Sequence, residues 1–119
     1  MSVRKNVDEA LQDALNPIFP DRVFPNQYKG QAREYLVTSH LTIPEVPGEN
    51  GAGAARHLVM VRYFLPTGQN PNEKIVQISR ALLGHSFTTP SVTPAHDAQG
   101  QCWIFECAYV NAGVVYGFT

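Results

Sequence analysis

Two stretches of the chain alternate in a way that only a sheet accommodates. In residues 56–65, one side of an extended backbone would carry Val59, Val61, Tyr63 and Leu65; in 101–110, one side would carry Trp103, Phe105, Cys107 and Tyr109. Successive side chains of a strand point to opposite faces, so each set predicts one wall of a core. The intervening positions are less ordinary. A sheet with one wet face should alternate to polar there, yet Leu58, Met60, Phe64, Ile104 and Val110 are apolar. Any fold for this chain must account for apolar residues on both sides of its sheet.

Two helical patterns supply the cover for one side. In residues 6–16, Val7, Leu11 and Leu15 recur every fourth position, and Ala10, Ala14 and Ile18 widen the stripe. Asn6 with Glu9 three residues on forms a capping-box pattern, and Pro17 ends the helix. The second helix is expected over about 71–83, with Ile75, Ile78 and Leu82 as its stripe. Asn70 is a natural cap, Pro71 suits the first position and Glu73 would complete a box. Gly84 is placed for a left-handed closing turn.

The remaining segments fill in the sheet. Phe19–Pro25 reads as a stiff connector, and 33–43 as a strand with Tyr35, Val37, Ser39 and Leu41 on one face and Leu36, Thr38, His40 and Thr42 on the other. Residues 44–55, with two prolines and three glycines, read as a long loop. Residues 87–96 suit an edge strand because of Pro90 and Pro94, residues 97–100 a turn, and 114–118 a last strand or a docking tail. The order predicts a single α+β domain over 1–119. Its sheet should be mixed or antiparallel, of four to five strands, with two helices packed on one face. If the helices cover Val59, Val61, Trp103 and Phe105, the other face would hold Arg62, Glu106, Thr38 and His40 together with Leu36, Leu58, Met60, Phe64, Ile104 and Val110. Such a face is an interaction surface, unless the C-terminal segment or residues 19–32 fold over it.

Composition narrows the classes of function. Nine basic and ten acidic side chains give a net charge of −1 with no run of either sign, so direct nucleic-acid binding is not expected. The first residues, Met1-Ser2-Val3-Arg4-Lys5, do not read as an export signal, and no apolar run approaches the roughly 20 residues of a membrane span. A soluble, intracellular protein is expected. Cys102 and Cys107 are five apart in one strand, hence on opposite faces and poorly placed to bond.

The residue types that carry chemistry show no catalytic pattern. His40, His57, His85 and His96 show no metal-ligand spacing. Gly48, Gly51 and Gly53 lack the lysine and helix start of a phosphate loop and read as a flexible segment. Cys107 beside aromatic residues reads as a small core residue rather than a nucleophile. Asp8, Glu9 and Asp13 favour the dipole of the first helix and need no catalytic role. The expectation is a protein that is not an enzyme and uses no cofactor or metal.

A wider resemblance covers most of the chain. A short helix leads into Arg22-Val23-Phe24-Pro25; a strand containing Tyr35-Leu36-Val37 follows, then a strand, Val59–Tyr63, that runs into a helix ending at Leu82-Leu83. This order resembles the small tail-completion and tail-terminator proteins of long-tailed phages and prophages. The glycine-rich 48–53 loop and the proline-spaced 87–96 segment depart from the pattern. The resemblance implies a structural subunit that assembles with itself, as a six-membered ring, to cap the tail tube. Such a ring ends polymerisation and offers a surface to head-connector proteins, first in the host cytoplasm and then in the virion tail. The candidate assembly interface is Leu58, Met60 and Ile104 on the uneven face with Glu45, Glu49 and Asn50 of the long loop. A different class, a small ligand-binding α+β domain with its pocket between sheet and helices, is the alternative, and a small enzyme is a third.

Overall fold

The computed structural model describes residues 6–45, 54–95 and 100–109. Helix α1 (Val7–Leu15) starts where the sequence places it: the Asn6 side chain accepts from Glu9 N–H at 2.8 Å, and Asn6 N–H donates to the Glu9 carboxylate at 3.2 Å. This reciprocal box satisfies two of the four N–H groups that a helix start leaves without partners. The next three elements are the strands β1 (Val23–Pro25), β2 (Tyr35–Glu45) and β3 (Ala54–Leu65). Then come α2 (Asn72–Gly84), β4 (Ser91–Ala95) and β5 (Gln101–Tyr109).

The five strands form one mixed sheet in the order β1-β2-β3-β5-β4, an α+β fold. Only β1 is parallel to its neighbour. It comes from what the sequence reads as a connector, and residues in left-handed conformation bracket it: Asp21 (φ 61°) and Asn26 (φ 71°). Asp and Asn tolerate that region better than other non-glycine residues. Strand β4 sits at the opposite edge, where Pro94 costs no ladder bond.

The long loop is shorter than expected. Pro44 and Glu45 belong to β2, paired with Ala55 and Ala54 of β3. The proline fits for a reason visible in the ladder. Leu36 N–H bonds to Arg22 O, and Thr38 O takes the Asn26 N–H, so even-numbered positions of β2 direct their backbone groups outward. Pro44 therefore lacks an N–H only on the outer edge. Residues 46–53, most of the 97–100 turn and the 114–118 segment lie outside the described residues.

Helix α2 begins one residue later than predicted. Pro71, not Asn70, occupies the cap position, without a side-chain capping bond; the Asn70 side chain accepts from Asn72 N–H at 2.9 Å in a local turn just before the helix, and Glu73 closes no box. Gly84 is the last helical residue, and the left-handed turn falls on Ser86 (φ 74°) instead.

Both helices lie on one face of the sheet. The core unites Val7, Leu11 and Leu15 of α1 and Ile78 and Leu82 of α2 with Leu36, Val59, Val61, Tyr63, Phe105 and Cys107 of the sheet. Phe19, in the α1–β1 connection, packs edge-on against Tyr63 at 5.4 Å, and the Lys74 ammonium sits 5.0 Å from the same Phe19 ring. Tyr63 donates its hydroxyl proton to Glu34 at 2.6 Å. Burial, and then the Glu34 bond and charge, push its ionisation well above the usual phenol range.

Candidate functional site

The register decides which residues share the uncovered face. Tyr35 pairs with Phe64, Val37 with Arg62, Ser39 with Met60 and Leu41 with Leu58. On the other side of β3, Arg62 pairs with Ile104, Met60 with Glu106 and Leu58 with Ala108. The open face therefore carries Tyr35, Val37, Ser39, Leu41 and Ile43 of β2. This corrects the sequence reading, which put Leu36, Thr38 and His40 there. Leu36 and Thr38 instead pair with Tyr63 and Val61 and are buried on the helix side. A change of one residue in register exchanges the faces of a whole strand.

The two ends of this open face differ. At the β1 end, the segment after β1 folds back across it. Tyr28 stacks on Phe24 with ring centroids 4.1 Å apart and lies 4.5 Å from Tyr35, which stacks on Phe64 at 4.9 Å. The Tyr28 hydroxyl accepts from Ala32 N–H at 2.7 Å, fixing the fold-back. Gly30 permits it, because a Cβ there would stand 2.1 Å from that hydroxyl. Val37 and Cys102 are buried on this side, apart from the helix-side core. The Arg62 guanidinium reaches to 5.9 Å from the Phe64 ring, and its buried Nε has no hydrogen-bond partner among the described residues. Of the two covers considered for this face, residues 19–32 thus supply part of one.

The other end stays open. Leu41 is 60% exposed, Leu58 40% and Ile43 39%. A shallow groove of about 580 Å³ runs past Leu41 and Leu58, walled chiefly by Ser39, Leu41, Leu58, Met60, Glu106 and Ala108. Of the expected interface residues, Leu58 is exposed here, while Met60 and Ile104 lie half-buried on the same face. Glu45 closes β2 against Ala54; its side chain, like Glu49 and Asn50, lies outside the described residues. Leu41, Ile43 and Ser39 were not among the expected residues. Only the β2–β3 register brings them to Leu58 and Met60.

A second apolar strip lies on the far side of the molecule. Val76 and Leu83 of α2 are 46% and 50% exposed. Seven residues apart, they share one stripe of the helix.

The helix side of the sheet ends in a polar cluster that spacing along the chain does not reveal. Asp8 of α1 lies 3.4 Å from His40 Nε2, and Thr42 Oγ1 lies 2.9 Å from His57 Nδ1. The two imidazoles are 6.4 Å apart, and His57 lies 6.1 Å from the Tyr109 ring. Burial, and secondarily His40, make His57 less basic than an ordinary histidine. A hydroxyl beside an imidazole is half of a nucleophile–base pair, but the acid faces His40 rather than His57. Among the described residues, no three His, Cys, Asp or Glu side chains are grouped to hold a metal.

The cysteines lie on opposite faces and are not bonded to each other. Burial pushes the Cys107 thiol up to about 11, which keeps it protonated at neutral pH. No helix among the described residues is long and apolar enough to cross a membrane. Comparison with models of known protein families and with curated protein sequences yields no match for this chain.

Proposed function

We propose that the chain is a structural subunit that caps a phage tail tube as a ring, ends its polymerisation and helps join tail to head. The observation that carries this reading is the apolar groove on a sheet face that neither helix covers, lined by exposed Leu41 and Leu58, with exposed Ile43 further along the same face of β2. Contiguous apolar surface of this kind marks contact sites. A closed ring also requires two different, complementary patches on each subunit. The α2 strip of Val76 and Leu83 provides a second patch on the opposite layer, so a head-to-tail arrangement has both of its halves.

Negative-stain images of purified tail tubes incubated with the protein test the proposal. Density confined to tube ends, together with shorter tubes when the protein is present during polymerisation, is the expected result. Unmodified ends and unchanged tube lengths would refute it.

One observation supports a ligand-binding module as the second reading: the groove volume falls within the range of small-molecule sites, roughly 300–1,000 Å³. That groove lies outside the sheet, whereas the space between sheet and helices is filled by the core. Binding of small apolar dyes that survives in the presence of excess tail tubes would favour this reading over the first.

A further inference from the structure

We propose that α2 of one subunit docks in the sheet groove of the next, with Arg80 of the helix set against Glu106 of the groove. This docking rests on the head-to-tail arrangement proposed above and names its two faces.

The helix has the surface for it. Each residue turns an α-helix by about 100°, so Val76, Arg80 and Leu83 fall within a sector of roughly 60°. All three are exposed, on the side away from buried Ile78 and Leu82. Arg80 is the one charged residue between Val76 and Leu83, so the strip is apolar with a single cation inside it.

The groove is its complement. Leu41, Leu58 and Met60 line it, and Glu106 is the one acidic group of that lining. Glu106 is exposed and stands directly across from Met60. Neither Arg80 nor Glu106 makes an ion pair among the described residues.

The spacings agree. Leu58 is the diagonal neighbour of Glu106 across the β3–β5 ladder, about 7–8 Å away. Val76 and Leu83 stand about 6 and 4.5 Å from Arg80 along the helix axis, and the long arginine side chain spans the difference. A helix laid with its apolar stripe in a groove is a recurrent mode of recognition.

Charge also selects the arrangement. Strip against strip would oppose two Arg80 side chains, and groove against groove two Glu106 carboxylates. Only strip in groove pairs opposite charges. The helix and the groove lie on opposite sides of the sheet, so one subunit cannot fill its own groove.

Sedimentation velocity at high concentration tests this with wild type, Arg80→Glu, Glu106→Arg and an equimolar mixture of the two variants. Each reversal alone should weaken association by about tenfold. In the mixture, each helix can meet a groove of opposite charge, so association should return to near wild type; circular dichroism checks every fold. Arg80→Lys gives a second readout. A carbodiimide should join its amine to the Glu106 carboxylate as an amide, with loss of water. In a mixed sample the joined peptides should come from one ¹⁵N-labelled and one unlabelled copy. Single reversals that associate as wild type does, a mixture no tighter than either variant alone, or no such cross-link would each overturn the docking. Tail-tube binding is scored separately. Rescue in the mixture without tube-end binding leaves the docking standing and removes the tail reading; tube-end binding without rescue does the opposite.

Discussion

Met60 and Val61 are adjacent in β3 but face opposite sides of the sheet, and one charge placed at each reports on the whole arrangement. Val61 is fully buried between Thr38 and Phe105 beneath the helices. Replacing it with lysine forfeits about 2 kcal/mol of apolar burial. The unpaired ammonium adds a desolvation penalty of several kcal/mol. The sum reaches or exceeds the roughly 5 kcal/mol at the lower end of domain stability, so Val61→Lys should be largely unfolded. Met60 is half-buried in the open groove, so Met60→Lys forfeits only about 1 kcal/mol of burial. Its stem can lie along Leu58 while its head remains in water. Glu106 stands directly across the strand pair, and an opposite charge there returns about 0.2–1 kcal/mol. The net cost should be about 0–1 kcal/mol, whereas Met60→Glu would face Glu106 and lose more. Urea unfolding followed by far-ultraviolet circular dichroism measures all three variants. If Met60→Lys is as unfolded as Val61→Lys, the open face is core. If Val61→Lys keeps near wild-type stability, the helices do not cover the face assigned to them.

Other consequences follow from individual residues. Gly84→Ala should raise stability by about 0.5–1 kcal/mol, because the glycine is helical and a Cβ there meets nothing within 4 Å. Gly100→Ala should lower it by about 1–3 kcal/mol, because its Cβ would come within 2.6 Å of the Leu65 carbonyl oxygen; denaturant midpoints of the two variants should move in opposite directions. Folded His57 binds its proton less readily than an unfolded histidine. Stability should therefore fall as pH drops through the ordinary imidazole range, and His57→Gln should flatten that decline in melting scans at stepped pH. Cys107, buried and with its thiol raised to about 11, should resist iodoacetamide in the folded protein at neutral pH and react on unfolding; rapid native-state labelling by mass spectrometry would contradict this.

Much of the fold is legible because its signals are local. The Asn6–Glu9 box and Pro17 define α1 within a dozen residues, and the alternation of Val59, Val61 and Tyr63 identifies the core side of β3 without reference to any partner. Features that depend on pairing were not legible. A run of three residues, Val23–Pro25, is too short to show an alternating pattern of its own, and its parallel contact with Leu36–Thr38 makes it a strand. The face assignment of β2 failed for a related reason. Both alternate sets contain large apolar residues, Tyr35, Val37 and Leu41 against Leu36, so hydrophobicity alone could not fix the parity of its register with β3. The polar cluster has the same origin: pairing Thr42 with His57 brings together residues fifteen apart. At α2, the exchange of Gly84 for Ser86 shows the limit of a residue-type rule. Glycine favours a left-handed turn, but Phe87 N–H reaching back to Leu82 O fixes where the turn falls.

The central claim is that an uncovered apolar sheet face drives assembly, and sedimentation velocity of wild type and Met60→Lys tests it most directly. Both proteins should be run over a wide concentration range, alone and with purified tail tubes. Free subunits should associate weakly, since association costs of about 4–15 kcal/mol offset most of the burial available at so shallow a surface. Wild type should therefore form closed oligomers only at high concentration and co-sediment with tubes, while folded Met60→Lys remains monomeric and unbound. Wild type that stays monomeric at every concentration and never accompanies the tubes would contradict the account.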